Sequence, residues 1–140
     1  MKIINNLLIL ATILLITVSC NNINNNNPQY YRTQIDQNIN EKNYDKAIEN
    51  LNKLLTLQPN DYRTYFQLGE CYQNKNEYDK AIENFNQVIS IRPRYAKAYF
   101  QMGIIYQKQE NHSKSIENYK KAVEIDPSLE TQLNQAFDNL

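Results

Sequence analysis

Apolar residues recur at helical spacing along much of this 140-residue chain. From Tyr78 to Ile89 they occupy positions i, i+3, i+4, i+7, i+10 and i+11, which is the pattern of one face of an α-helix. The same pattern starts at Tyr44 and again at His112, at equal intervals before and after Tyr78. The three stripes are Tyr44, Ala47, Ile48, Leu51, Leu54 and Leu55; Tyr78, Ala81, Ile82, Phe85, Val88 and Ile89; and His112, Ser115, Ile116, Tyr119, Ala122 and Val123. Each stripe predicts a helix that packs against a partner helix.

The residues that shape turns and close contacts recur at the same interval as the stripes. Those residues are Pro59, Pro93 and Pro127, and Gly69 and Gly103. Residues 44–50 also recur without any change at 78–84. Proline ends one helix and fits the first turn of the next, while glycine within a helix is expected to let two helix backbones approach closely. The chain is therefore predicted to consist of repeated helical hairpins.

These residues resemble the tetratricopeptide repeat. The matching positions are Tyr65, Leu68, Gly69, Tyr72, Ala81, Phe85, Val88 and Pro93 in the middle unit; Tyr99, Met102, Gly103, Tyr106, Tyr119, Ala122 and Pro127 in the third; and Tyr31, Tyr44, Ala47, Leu51 and Pro59 in the first. The first unit departs from the pattern, because Ile35 replaces glycine and Asn38 replaces an aromatic residue.

The resemblance implies an all-α fold, a right-handed superhelix of three helix-turn-helix repeats within a domain of residues 29–140. The repeats are expected at about 28–61, 62–95 and 96–129. A capping helix at 130–140 would follow them. Its apolar residues Leu133, Ala136, Phe137 and Leu140 are expected to face the last hairpin.

The first helices of the middle and third units carry another stripe of residues, which does not face the partner helix of the hairpin. In tetratricopeptide-repeat proteins these positions line the concave groove, so the resemblance implies a binding surface here. They are Arg63, Phe66, Glu70 and Gln73, then Lys97, Phe100, Ile104 and Gln107. Phe66 and Phe100 would present apolar rings to an extended or helical peptide segment. The competing interpretation is that both rings pack against the neighbouring hairpin.

The N-terminal residues 1–19 have the pattern of a secretory signal peptide. Lys2 precedes a twelve-residue apolar stretch from Leu7 to Val18, which is too short for a spanning helix. Residues 17–20 resemble a bacterial lipobox, although Thr17 stands where leucine is usual. The resemblance implies lipid attachment at Cys20, with conventional cleavage as the alternative. Residues 20–28 would then form an asparagine-rich tether to a membrane.

Composition argues against several classes of function. Fifteen basic and fifteen acidic residues leave no positive field for nucleic acid. His112 is the single histidine and Cys71 is the single cysteine after Cys20, so a metal site is not expected. The two glycines are used for helix packing, and no phosphate-binding loop or nucleophile motif occurs. We therefore expect neither an enzyme nor a bound cofactor.

Together these features predict a membrane-tethered scaffold of the bacterial cell envelope that binds a peptide or helical segment of another protein in its groove. Asn21 after the cysteine weakly favours the outer membrane. The main alternative is a structural protein whose repeat faces stack into homo-oligomers. A third class, an enzyme or small-molecule receptor, would require a deep enclosed pocket with strongly perturbed titratable groups.

Overall fold

The computed structural model describes residues 26–138, and its side chains are described as far as residue 134. The helices are α1 (Pro28–Asn40), α2 (Tyr44–Leu57), α3 (Tyr62–Asn74), α4 (Tyr78–Ile91), α5 (Ala96–Lys108), α6 (His112–Ile125) and α7 (Glu130–Asp138), with a 3-10 turn at Pro127–Leu129. No strand occurs within this range, and the predicted all-α class with successive helical hairpins is confirmed. The hand of the superhelix stays a prediction.

The predicted signal peptide and Cys20 lie outside the described residues, as does most of the tether. Between residues 26 and 138, no helix has both the length and the apolar character needed to cross a membrane.

Each hairpin turns through three residues that are fixed by the same hydrogen bonds. In the first hairpin, Lys42 has a φ of 56° and the next amide, Asn43 N–H, donates to the carbonyl of Asn38 at 2.8 Å. Asn76 and Glu110 repeat this left-handed conformation at φ 60° and 59°. A left-handed residue after a helix satisfies its last carbonyls and reverses the chain, which sets the antiparallel hairpin.

The helices pack in two ways. Within a hairpin the contact is extensive, as between α3 and α4, and successive hairpins meet where α2 packs on α3 and α4 packs on α5. Most of the fully buried apolar side chains belong to the second helices of the hairpins. They are Ala47, Leu51, Leu54, Ala81, Phe85, Val88 and Ala122. The predicted stripes therefore form the core that positions the first helices.

The repeated glycines make room for aromatic rings rather than for a second backbone. A Cβ atom built on Gly69 would lie 2.5 Å from the Phe85 ring, and one on Gly103 would lie 2.6 Å from the Tyr119 ring. This corrects the expectation of close backbone approach, because the nearest atoms belong to side chains. In the first hairpin the matching positions hold Ile35 and Leu51, so a larger residue on the first helix faces a smaller one on the second.

The last stripe is less covered than predicted. Ile116 is 48% exposed, whereas the matching Ile48 and Ile82 are half-buried. Helices α2 and α4 are each followed by another hairpin, but α6 is followed only by the 3-10 turn and α7, and α7 packs chiefly on that turn. Leu133 is half-buried. The side chains of residues 136 and 137, and residue 140 as a whole, lie outside the described part of the chain.

Candidate functional site

A recess of about 270 Å³ lies on the sides of α3 and α5, where the groove was predicted. It brings together Phe66, Glu70, Lys97 and Phe100, four of the eight predicted positions, with Gln101, Leu129 and Gln132. Helices α3 and α5 begin at equivalent positions of successive repeats and run in the same direction, so their equivalent residues lie side by side. The groove is thus a consequence of the repeat.

A second recess of about 380 Å³ shares Glu70 and Gln101 with the first. It also includes Gln73, another predicted position. Its remaining lining residues are Ile39, Tyr44, Cys71, Asn74, Asn76 and Lys108. The two adjoining recesses give a polar and apolar track across the three hairpins.

Phe66 has both of the roles that the sequence left open. Its half-buried ring lies 5.4 Å from the ring of Phe85 and 5.3 Å from that of Tyr95, and it also lines the recess. Phe100 is related in the same way to Tyr119, at 5.3 Å. Edge-to-face and tilted aromatic pairs at such distances are favourable, so one side of each ring stabilises the hairpin stack. The remaining surface is available to a ligand.

In each repeat, the residue at the position of Phe66 contacts a residue of the turn that leads to the next hairpin. The kind of contact differs from one repeat to the next. The three equivalent pairs, related to one another by the repeat, are Arg32 with Asp61, Phe66 with Tyr95, and Phe100 with Leu129. The first pair is an ion pair at 2.9 Å. Burial raises the pKa of the Asp61 carboxyl, but hydrogen bonds from Arg32, Thr64 and the Arg63 amide outweigh it and hold the pKa below its usual value.

Glu70 is the distinctive polar group of the groove. It is half-buried where the two recesses meet, and among the side chains described, those of residues 26–134, none forms a hydrogen bond or ion pair with its carboxylate. Burial raises the pKa of Glu70, and the nearby positive charge of Lys97 partly opposes that change. A carboxylate held in this way can accept hydrogen bonds from a ligand.

The other three predicted positions line neither recess. Arg63 is exposed, with its guanidinium 5.0 Å from the ring centre of Tyr62. The side-chain oxygen of Gln107 accepts a hydrogen bond from the Tyr119 hydroxyl at 2.8 Å. Ile104 is half-buried. The family pattern alone predicts a place in the groove for these three residues. The contacts of Arg63 with Tyr62 and of Gln107 with Tyr119 depend instead on neighbouring side chains.

Three groove residues were missing from the predicted site. Gln101 follows Phe100 on α5, Leu129 ends the 3-10 turn, and Gln132 lies on α7. The repeat offers a signal for Leu129, because it occupies the position in the third unit that Tyr95 occupies in the middle unit. No sequence signal predicts that Gln132 lines the recess. Its place there depends on the angle at which α7 leaves the turn.

The groups most often used in catalysis are separated here. Cys71 is buried, and burial together with the charge of Glu70 raises the pKa of its thiol to about 11, which disfavours the reactive thiolate. His112 is exposed at the start of α6. Among the described residues no three His, Cys, Asp or Glu side chains are placed to hold a metal ion. The geometry is that of an open binding surface.

The repeat pattern also matches known families and folds. Two models of the tetratricopeptide repeat match residues 39–83 and 96–129, and a TPR repeat model matches 71–110. A search of curated proteins found no match. A crystal structure of MamA is 26% identical over 76% of this chain, with a TM-score of 0.70, and a second MamA crystal structure is 26% identical with a TM-score of 0.68.

The chain spans 63% of the first MamA structure and 58% of the second. The three family matches together run without a break from residue 39 to residue 129, and the hairpins described above have the length and packing of that repeat. The chain therefore belongs to the tetratricopeptide-repeat family.

Proposed function

We propose that this protein is a membrane-tethered scaffold of the bacterial cell envelope, and that its concave groove binds a peptide or helical segment of another protein. The observation that carries the proposal is the recess between α3 and α5, where two aromatic rings flank the carboxylate of Glu70, which has no hydrogen-bond partner among the described side chains. Such a mixture of apolar surface and unused hydrogen-bonding groups suits a segment with an apolar side chain and a donor beside it.

The amide side chains of the groove support a peptide rather than a small molecule. Gln101 and Gln132 line the first recess, and Gln73 and Asn74 line the second. Each such amide can donate to a carbonyl and accept from an N–H group, which are the groups an extended peptide backbone repeats along its length. Both recesses are open, so a chain can cross from one to the other.

The tether part of the proposal is supported by the sequence. Several acyl chains on Cys20 would hold the protein on a bilayer, since each buried methylene contributes about 0.8 kcal/mol. Fractionation tests it directly. The wild-type chain is expected in the detergent phase and the Cys20→Ala variant in the aqueous phase, and identical detergent partition of the two would refute lipid attachment.

Self-association by head-to-tail stacking is the alternative, and the N-terminal face argues against it. Leu68 and Tyr72 are the residues of α3 that pack into the preceding core, but the matching positions of α1 hold Gln34 and Asn38. The Asn38 amide donates to the Gln34 carbonyl at 2.6 Å. Asn38 is buried and Gln34 is half-buried, so Gln34 supplies the polar surface at this face, and such a surface is typical of a terminal capping repeat, which ends a stack rather than extending it.

The groove is best tested with a peptide library presented to the purified chain that starts at residue 21. We expect Glu70→Gln and Gln101→Ala each to weaken binding of selected peptides by about tenfold, the effect of losing one buried hydrogen bond to a ligand. Glu83→Gln is the matched control, because Glu83 is exposed on α4 away from both recesses. Peptide affinity that depends on Glu83 as much as on Glu70 would contradict groove binding.

A further inference from the structure

One end of the hairpin stack carries the turns that lead from each second helix to the next first helix. Contacts between successive turns place them together: the Arg32 guanidinium reaches Asp61 at 2.9 Å, and the rings of Tyr62 and Tyr95 lie 5.2 Å apart. Helix α1 begins at Pro28 at this same end. The chain that arrives from Cys20 therefore enters the fold here.

Three arginines gather at this end, and we call the surface formed by Arg63, Arg92 and Arg94 the arginine end. The guanidinium of Arg92 lies 4.3 Å from the ring centre of Tyr62, and that of Arg63 lies 5.0 Å from the same ring. All three arginines are exposed. None of them forms an ion pair with a carboxylate in the described part of the chain.

The opposite end of the stack is different, because two of its lysines are held in ion pairs. Lys75 pairs with Asp45 at 2.6 Å and with Glu77 at 2.7 Å, and Lys80 pairs with Glu77 at 2.7 Å. A cluster of like charges without counter-ions is costly for the folded protein, and it is relieved when an anionic surface approaches. Lys46 and Lys114 at that end are exposed and form no ion pair in the described part of the chain, so the arginine end is distinguished by guanidinium groups gathered around aromatic and apolar side chains rather than by charge alone.

Apolar groups lie between these charges. Ile91 is 36% exposed, and a shallow recess of about 520 Å³ is lined by Ile91, Arg92, Pro93, Arg94 and Tyr95. Arginine, aromatic and aliphatic side chains together are typical of surfaces that sit at the level of lipid headgroups, where the rings and stems meet the acyl boundary and the guanidinium groups meet phosphate.

We propose that the arginine end docks on an anionic bilayer surface, with its guanidinium groups on lipid phosphates. The orientation rests on the proposed tether, because the eight residues from Asn21 to Pro28 span at most about 25 to 30 Å and hold this end next to the membrane. Guanidinium groups match phosphate geometry through paired hydrogen bonds. Docking in this direction leaves the sides of the first helices, and so the groove, open to a partner.

The test uses the chain from residue 21 onward, which lacks the apolar leader and the acylated cysteine. Its core contacts all lie between Tyr31 and Leu129, so this form contains the whole fold. We expect it to float with vesicles of phosphatidylcholine and phosphatidylglycerol, and to remain unbound with phosphatidylcholine alone. Adding salt should release it, since the attraction is screened within a Debye length.

The double variant Arg92→Gln, Arg94→Gln should lower the partition coefficient by about fivefold for each arginine removed. The matched control is Lys46→Gln, Lys114→Gln, which removes two exposed positive charges at the opposite end of the stack. The control also imitates the loss of a ring contact, because Lys114 lies 5.2 Å from the ring centre of Tyr106 as Arg92 lies against Tyr62. The control should float like the wild type.

Equal loss in the two double variants would overturn the proposal, as would wild-type flotation that ignores phosphatidylglycerol. Soluble RNA that displaces the vesicles and depends equally on the arginines would also overturn it, because the surface would then recognise phosphodiesters in general. The tether is judged separately, by the fractionation of Cys20→Ala in the full chain. If the chain from residue 21 binds the vesicles but full-length Cys20→Ala fractionates like the wild type, the tether alone is refuted. If that chain does not bind the vesicles but the two full-length forms fractionate differently, the docking alone is refuted.

Discussion

Replacing Gly69 with alanine would insert one methyl group between α3 and the ring of Phe85. The added carbon would lie 2.5, 2.7 and 2.8 Å from three atoms of that ring, whereas unbonded carbons settle at about 3.5 to 4.0 Å. The ring has to move by about 1 Å. Phe85 is fully buried, and Phe66 of the same hairpin packs on it at 5.4 Å, so the movement also disturbs a ring that lines the groove.

The magnitude follows from two opposing effects. Overpacking a filled core costs about 1 to 3 kcal/mol, and alanine is about 1 kcal/mol better than glycine within a helix. Three contacts under 3 Å place the overpacking in the upper part of its range, at about 2 to 3 kcal/mol, so we expect Gly69→Ala to lower the free energy of unfolding by about 1 to 2 kcal/mol. Phe85→Leu alone should also destabilise by about 1 to 2 kcal/mol, because it leaves a cavity over the glycine.

The two changes together should cost less than their sum. The first hairpin already combines a larger residue, Ile35, with a smaller one, Leu51, at the same two positions, and both are fully buried. Urea denaturation of the four forms, followed by far-ultraviolet circular dichroism, gives the coupling energy, which we expect to be about 1 kcal/mol or more in favour of the double variant. Additive losses, or an unchanged Gly69→Ala protein, would refute the assignment of glycine to ring packing.

Three further predictions concern buried polar groups. Tyr119→Phe should destabilise by about 1 kcal/mol through loss of the hydrogen bond to Gln107. Burial raises the pKa of Tyr119 to about 12. The hydroxyl therefore contributes its full stabilisation below the ordinary tyrosine pKa of about 10, and this stabilisation is lost as the pH rises towards 12. Identical alkaline denaturation of the wild type and Tyr119→Phe would contradict this pH dependence. Cys71, with a thiol pKa of about 11 and 2% exposure, should resist iodoacetamide until urea unfolds the chain, and rapid labelling of the native protein would show the burial to be wrong. The pKa of Asp61 lies below its usual value, so its contribution is complete above the ordinary carboxyl range and is lost as the pH falls through the lowered pKa. Arg32→Ala should raise that pKa in an NMR titration and cost about 0.5 to 1 kcal/mol, whereas an unmoved carboxyl resonance would count against the ion pair.

Much of the candidate site could be predicted from the repeat. Phe66 and Phe100 were placed side by side because they occupy equivalent positions of parallel helices, and the recess contains both. The same argument predicts Glu70 as a groove residue. It does not predict that the Glu70 carboxylate lacks a partner among the described residues, because this depends on which side chains reach it. The place of Arg63 in the groove stays a prediction, since its guanidinium lies against the ring of Tyr62 and the residue lines neither recess.

The sequence by itself determined the helices and their order. The spacing of small and large apolar residues in each repeated unit gives every helix a single face that can be buried. It also determined that the hairpins repeat, since Pro59, Pro93 and Pro127 recur with the same period as the apolar stripes. Only the tertiary structure decided which groups of different helices and turns meet: Phe85 over Gly69, and the arginines around Tyr62. Periodicity is a property of one helix face, whereas these contacts depend on the angle and distance between helices, which the packing of all their side chains sets together.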